Sequence, residues 1–269
     1  MSDKFKNKIA VITGGASGIG LAFCWELANK GAKIAMLDFD KTALEIQKER
    51  FSEKGFQILA IACDVTCEDT CKSSINKVIN AYGQIDILFN NAGITQRGLF
   101  EKTEIDVYKK VMDVNFFGSL YCTKTAIESL IKTKGVIVVN ESIAGIAPLL
   151  GRTGYSASKH ALHGMFTSLR CELRHKGVHV MIVCPGFIKT NLQTRALGSD
   201  GNIALHEQTK IGKEDTPENA ARQIAKGVIK RKQILVLTLT GKIGYILSRL
   251  SPLLYELIMT NKFKKELHK

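Results

Sequence analysis

Tyr155 and Lys159 are separated by Ser156, Ala157 and Ser158 at the start of a long stretch of helical period, so phenol and ammonium share one helix face about a turn apart. A phenol with a pKa of about 10 is a poor base at neutrality, but a fixed cation nearby stabilises the phenolate and moves the pKa towards the working range. Such a pair can give a proton to a carbonyl oxygen, or take one from an alcohol, as a hydride moves at the adjacent carbon. Lys159 has a second use as a hydrogen-bond donor to a hydroxyl of a bound ligand. Ser142 closes an apolar run thirteen residues before Tyr155, where its hydroxyl would polarise the same substrate oxygen. Asn115, in Val-Asn-Phe-Phe-Gly, is an amide among apolar neighbours. It either holds a water that relays protons from Lys159 or satisfies a helix backbone group. Alone, Tyr-x-x-x-Lys is a common helical coincidence; the conjunction of four residue types in order carries the weight.

These residues need a scaffold, and the hydrophobic pattern supplies one. Short apolar runs at 9–13, 33–37, 57–62, 85–89, 135–140, 178–183 and 233–237 alternate with amphipathic stretches at 21–30, 42–53, 67–82, 105–131 and 155–175. That is the βαβα pattern of an α/β fold, a doubly wound parallel seven-stranded sheet whose strands are apolar on both faces. Ligands in such sheets sit at the carboxyl ends of the strands. The residues there are Thr-Gly-Gly-Ala-Ser-Gly-Ile-Gly from Thr13 to Gly20, then Asp38, Asp64-Val65, Asn90-Asn91-Ala92-Gly93, Glu141-Ser142 and Cys184-Pro185-Gly186.

Gly14, Gly18 and Gly20 fall between the first strand and the first helix, where glycine lets backbone approach a pyrophosphate. The helix start, with Ser17 and Ile19, offers N–H groups and a positive dipole end to phosphates. Leu21 stands where a phosphate-loop Lys would be, which excludes an ATPase reading; a tight turn without ligand is the alternative. Asp38 can accept both hydroxyls of an adenosine ribose and would repel a 2′-phosphate, and no Arg or Lys lies in 14–20, so NAD is expected over NADP. Asp38 or Asp40 would alternatively cap the next helix. Asp64 and Val65 would meet the adenine edge, and Asn91, Ala92 and Gly93 the adenosine ribose; turn chemistry explains both groups equally well.

With those motifs the chain resembles the short-chain dehydrogenase/reductase family from Lys8 to about Leu237. The resemblance rests on 13–20, 90–93, Asn115, Ser142, 155–159 and Pro185-Gly186 with Thr190. It implies the seven-stranded sheet, an Asn115/Ser142/Tyr155/Lys159 tetrad and nicotinamide amide contacts from Ile188 and Thr190. It also implies a dimer or tetramer built on the helices bearing Asn115 and Tyr155. Glu141 departs from the small or hydroxyl residue usual beside the serine, adding a charge that bears on local geometry and pH optimum. Steroid-, retinoid- and lipid-directed branches resemble the chain most.

The formal charge of +13 is local: from Arg222 to Lys269 eleven Lys and Arg face two Glu, an excess of nine, leaving four for the preceding 221 residues. A nucleic-acid binder is disfavoured, because no aromatic-basic interleaving accompanies the charge. The seven cysteines include no paired CxxC, so free thiols in a reducing cytosol are expected, and a metal site at Cys63, Cys67 and Cys71 is not. Between Pro185 and Thr216 periodicity is lost around Gly198-Ser199-Asp200-Gly201, which suggests a mobile flap over the substrate. Residues 1–240 are read as one catalytic domain and 241–269 as a basic amphipathic extension. Its Lys242, Arg249 and Glu256 are seven apart, with Ile246, Leu250, Leu253 and Leu257 on other faces, and Pro252 must bend or divide it. Such a tail would lie on an anionic membrane surface or pack against the core or a second subunit. A non-catalytic dinucleotide sensor of the same fold is the alternative function, and a sugar-nucleotide epimerase would need more chain.

Overall fold

The computed structural model describes residues 4–205, 209, 212 and 214–268, the side chains of 267 and 268 excepted. The strands are β1 (Ile9–Thr13), β2 (Lys33–Asp38), β3 (Ile58–Ala62), β4 (Ile87–Asn90), β5 (Val136–Asn140), β6 (His179–Cys184) and β7 (Ile234–Val236). They form one parallel sheet in the order β3-β2-β1-β4-β5-β6-β7. The helices are α1 (Gly18–Ala28), α2 (Lys41–Glu53), α3 (Glu68–Tyr82), α4 (Ile105–Met112), α5 (Gly118–Thr133), α6 (Thr153–Leu173), α7 (Pro217–Ile229), α8 (Leu239–Leu250) and α9 (Pro252–Lys262).

Because strand side chains alternate, each apolar run feeds two cores. Ala10, Ile12, Ile34, Met36 and Phe89 pack with Phe23 and Leu27 of α1 and Ile224 of α7. Their neighbours Ile9, Val11, Ala35, Leu37 and Leu88 pack with Val78 of α3, Leu130 of α5 and Phe166 of α6. The strand runs are therefore continuous rather than alternating, as a sheet covered on both faces requires.

The sheet is pinned at its amino-terminal edge by Asp86. Its carboxylate accepts from Lys8 Nζ at 2.7 Å, from the Ile9 N–H at 2.9 Å and from Gln84 Nε2 at 2.9 Å. Ile85 donates its N–H to Ser129 Oγ at 2.7 Å. Ile85 is thereby turned to α5, its carbonyl also accepting from Thr133 Oγ1, whereas Asp86 keeps backbone bonds to Ile9 and Val136 just ahead of β4, which begins at Ile87, two residues later than its apolar run suggests.

Of three other expectations, two are adjusted and one is met. The stretch 105–131 is not one helix: a π turn at Asp113–Phe117 separates α4 from α5. The tail is split as Pro252 requires, with Ser251 non-helical between α8 and α9. The segment read as a flap is anchored where it is described, with Leu197 bridging Gln96 and Ile203 and packing beside Val107 and Val111. Residues 206–208, 210, 211 and 213 of that segment, and Lys269 of the tail, lie outside the described residues. Among the described residues no helix is long and apolar enough to cross a membrane, and no cluster of three or more His, Cys, Asp or Glu could hold a metal ion. Cys63 and Cys71 are buried while Cys67 is exposed.

Asp86→Ala should cost on the order of 2–3 kcal/mol, because it leaves the Ile9 N–H without its side-chain acceptor and Lys8 without its partner. Urea unfolding measures this loss, and cofactor affinity at the opposite end of the strands should stay unchanged.

Candidate active site

The strand order reverses between β1 and β4, so the connections diverge there and leave a crevice at the carboxyl ends. Side chains lace its floor. Thr13 Oγ1 accepts from the N–H groups of Asn91 and Ala92, both at 3.0 Å. Asn91 Nδ2 donates to the carbonyls of Thr13 and Gly14, each at 3.0 Å, and its Oδ1 accepts from Asn140 Nδ2 at 2.9 Å. The Asn91 amide is therefore occupied in joining β1, β4 and β5, and Gly93 beside it lines the cavity.

The glycine turn has the geometry its composition suggests. Gly14 has φ +61° and Gly18 φ +53°, both in the left-handed region. A Cβ on Gly20 would stand 2.2 Å from the Gly14 carbonyl oxygen, so that position admits only glycine. Ser17 makes no side-chain cap, leaving the start of α1 open to an anion. Asp38 is buried; Oδ2 accepts from the Ala16 N–H at 3.0 Å and Oδ1 from the Asp40 N–H at 3.2 Å. Asp40, not Asp38, caps α2 by accepting from the Ala43 N–H at 3.0 Å. Asp64 is exposed and its Oδ1 accepts from the N–H and hydroxyl of Thr66, so turn chemistry accounts for it. Val65 is buried against Gly118.

Above the crevice a cavity of about 340 Å³ brings Ser142, Tyr155 and Lys159 together with Ile19, Asn91, Gly93, Pro185, Gly186, Ile188 and Thr190. Lys159 Nζ donates to the Asn140 carbonyl at 2.8 Å and lies 5.7 Å from the centre of the Tyr155 ring. Burial lowers the Lys159 ammonium to about 8, while Glu141 opposes the shift. The Tyr155 pKa is raised, not lowered as the helix spacing suggested: burial raises it most, Ser142 and Arg152 favour the phenolate, and Glu141 opposes it. Desolvation outweighs the charge effects, so the phenol is a proton donor at neutral pH. Ser142 also caps the short turn Ile143–Gly145, its Oγ accepting from the Ala144 N–H at 3.1 Å.

Asn115 sits in the π turn and is fully buried. Its Oδ1 accepts from the Ile94 N–H at 2.9 Å, and its Nδ2 donates to the Ile94 carbonyl at 3.0 Å and to Ser158 Oγ at 2.8 Å. Both amide hydrogens are thus spent on a brace between α6 and the 94 loop. A side-chain amide free to hold a water is not what the structure shows, nor does the amide serve a helix backbone group.

Several contributing residues escaped the sequence reading. Asn140 and Ser158 are polar groups at a strand end and on the Tyr155 helix, a signal that would have found them. Arg152 gave no such signal. It is buried in the cavity wall, donates from Nη1 to the Gly151 carbonyl at 3.0 Å, and is lowered to about 10 by burial against the pull of Glu266. Glu141 lines the cavity too, with Oε1 2.9 Å from His163 Nδ1 and Oε2 accepting from Cys184 Sγ at 3.1 Å. The outer wall comes from the tail: Gly241, Ile243 and Leu247 of α8, and Tyr255, Ile258 and Met259 of α9.

A profile described as short chain dehydrogenase matches residues 8–199. The mouse protein Dehydrogenase/reductase SDR family member 7B is 32% identical over 97% of this chain and 83% of its own length. An Arabidopsis thaliana protein, 11-beta-hydroxysteroid dehydrogenase-like 2, is 42% identical over 70% of this chain and 61% of its own. In structure, a short-chain dehydrogenase/reductase from Burkholderia phymatum in complex with NAD superposes with TM-score 0.82 at 22% identity, over 91% of this chain and 94% of that one. With sheet order, motifs and near full-length similarity in agreement, the chain belongs to the short-chain dehydrogenase/reductase family, oxidoreductases that bind a nicotinamide cofactor.

Proposed function

We propose that the protein interconverts a secondary alcohol and its ketone with NAD(H), acting on a largely apolar, lipid-like or steroid-like substrate. One observation carries the reading: Tyr155, Lys159 and Ser142 line a single cavity with Ile19 at the end of the glycine turn. The residues present fit the cofactor, since Gly14 and Gly18 take the left-handed backbone of a tight turn and the start of α1 has no side-chain cap. Ser17, Gly18 and Ile19 would hold the pyrophosphate, Asp38 the adenosine ribose, and Pro185, Gly186, Ile188 and Thr190 the nicotinamide end. Bound NAD(H) supplies or accepts the hydride.

Tyr155 gives its phenolic proton to the carbonyl oxygen in reduction and receives it back in oxidation. Ser142 donates a hydrogen bond to that oxygen as charge builds on it. Lys159 stabilises the phenolate and binds the nicotinamide ribose, and Asn115 holds α6 and the 94 loop in place through Ser158 and Ile94. Because the phenol starts protonated, reduction is favoured towards lower pH and oxidation towards higher pH. The preference for NAD rests on Asp38, which would repel a 2′-phosphate. The apolar substrate class rests on the cavity wall of Ile94, Ala147, Leu149, Phe187, Ile243 and Met259, and is supported by the name of the Arabidopsis relative. Assembly as a homodimer or homotetramer through α5 and α6 belongs to the same reading.

The hairpin of α8 and α9 bears two functions. Its inner face walls the cavity, and its outer face exposes Leu239, Leu250, Leu253 and Leu257 beside Lys242, Arg249, Lys262, Lys264 and Lys265. Leu239, Leu250, Leu253, Leu254 and Leu257 are exposed together, a gathering of apolar surface rather than one exposed side chain. This outer face is read as a peripheral contact with an anionic cytosolic membrane surface, which delivers an apolar substrate to the cavity mouth.

A turnover screen of secondary alcohols, ketones, steroids and retinoids with both cofactors should give activity with NAD(H) above NADP(H). Tyr155→Phe should lower kcat at least about a thousandfold while cofactor binding is kept. Normal turnover of that variant would remove the proton-transfer role, and no turnover of any substrate by the native protein would favour a dinucleotide sensor. Tighter binding of NADP(H) would overturn the reading of Asp38.

Native protein should co-sediment with phosphatidylserine vesicles, and the Leu250→Glu, Leu253→Glu, Leu257→Glu variant should not. Sedimentation of both, or of neither, would refute the membrane contact.

A further inference from the structure

Arg152 is a cation enclosed beside Ala147, Leu149, Met259 and Phe263 in the wall of the cavity that holds Ser142, Tyr155 and Lys159. It stands three residues before Tyr155, immediately ahead of α6, and its carbonyl accepts from the Ser156 N–H at 2.7 Å. Its backbone is thereby fixed to the first turn of that helix. The residue is only 2% exposed. A guanidinium withdrawn from water to that depth is penalised unless its donors meet acceptors or opposite charge.

Its donors are only partly met. Of the five N–H groups of a guanidinium, one on Nη1 goes to the Gly151 carbonyl at 3.0 Å, which also accepts from the Gly98 N–H at 3.1 Å. The other edge, Nε with Nη2, meets no acceptor among the described residues. Neither of these nitrogens is among the polar atoms sealed in without a partner, so the edge opens into the cavity. Among the described residues no carboxylate lies within salt-bridge distance of Arg152. Glu266 resists the fall in its pKa from a greater distance, and with the value lowered only to about 10 the guanidinium is charged at neutral pH. The cavity is short of anions too. Among its described lining residues the one carboxylate is Glu141, which is taken up by His163 and Cys184, whereas Lys159 and Lys262 add positive charge.

We propose that the Nε–Nη2 edge of Arg152 binds an oxyanion group of the substrate, which is therefore an apolar molecule carrying a carboxylate or a phosphate ester besides its reacting carbon. The inference rests on the reading of Tyr155, Ser142 and Lys159 as the reacting end of this cavity, and names the substrate class for it. Two parallel N–H donors match two oxygens of a carboxylate or phosphate, a fit that a lone hydroxyl or ketone oxygen does not offer. The apolar body lies along Ala147, Leu149, Met259 and Phe263. That wall is held in place, because the Leu150 N–H donates to Met259 Sδ at 3.3 Å and the Tyr255 hydroxyl to the Pro148 carbonyl at 3.1 Å. A neutral molecule of the same shape leaves the Arg152 edge unfilled and binds more weakly.

The test measures binding and needs no turnover. Octanoate, octyl phosphate and octanamide, which share one chain length, are titrated calorimetrically into the protein with NAD in excess. At least one of the two anions should bind the native protein about tenfold or more tighter than octanamide, and which one does so tells carboxylate from phosphate. Arg152→Gln should remove that margin, leaving the anions level with octanamide and octanamide itself unchanged. Lys264→Gln, Lys265→Gln, which alters only the exposed charge of the tail, should keep the margin. Native protein without preference for either anion would overturn the proposal. So would a preference that survives Arg152→Gln, or one that is lost in the tail variant, since either places the anion elsewhere. Should Arg152→Gln fail to fold, Arg152→Lys decides: it keeps the charge without the fork, so the preferred anion should bind on the order of tenfold more weakly than in native protein. Equal affinity there overturns the proposal. An anion preference that depends on Arg152 in a protein turning over no alcohol or ketone leaves this inference standing while the proposed activity fails. Turnover of neutral steroids without any anion preference does the reverse.

Discussion

Lys159 has to be buried and charged at once, and much of the site follows from that demand. An ammonium withdrawn from water is destabilised unless acceptors and opposite charge replace its hydration. Here the Asn140 carbonyl supplies the direct acceptor and Glu141 the opposing charge. Neither would help if the helix were free to shift. Ser158, one residue before Lys159, accepts from the Asn115 amide, which grips both backbone groups of Ile94, so α6 is tied to the floor of the crevice. The π turn at Asp113–Phe117 places Asn115 where it can do this.

The same lacing reaches the cofactor end. Asn140, whose carbonyl holds Lys159, also donates to Asn91, and Asn91 holds the glycine turn through the carbonyls of Thr13 and Gly14. A displacement at the lysine is therefore felt at the turn that would cradle the pyrophosphate. This continuity is a reason for a proton donor and a dinucleotide site to be built on one set of strand ends, where both can be held to fractions of an ångström.

At the outer side of the cavity the chemistry changes from polar to apolar. The walls given by α8 and α9 place a greasy enclosure against Tyr155 and Ser142, and the same helices turn a second apolar face outwards. One hairpin thus links the interior of the pocket with the surface by which an apolar substrate would arrive. The strong basic excess of the tail suits that arrangement better than it suits nucleic acid.

The sheet, the glycine turn and the order of Asn115, Ser142, Tyr155 and Lys159 were legible in the sequence, because they depend on local periodicity and fixed spacing. Asp38 was legible as a candidate, and the geometry gave the capping to Asp40 instead. The role of Asn115, the rise in the Tyr155 pKa and the partners of Glu141 were not, because each is set by groups more than twenty residues away in the chain or by desolvation. Spacing along a helix shows that Lys159 can face Tyr155, but not how little water surrounds them, and the water decides which way the phenol shifts. So the sequence by itself determined the fold and named the candidate tetrad, but not Asn140 or Arg152, which line the same cavity. Only the tertiary structure decided the protonation of Tyr155 and Lys159, because burial and through-space charge exist once the elements have packed.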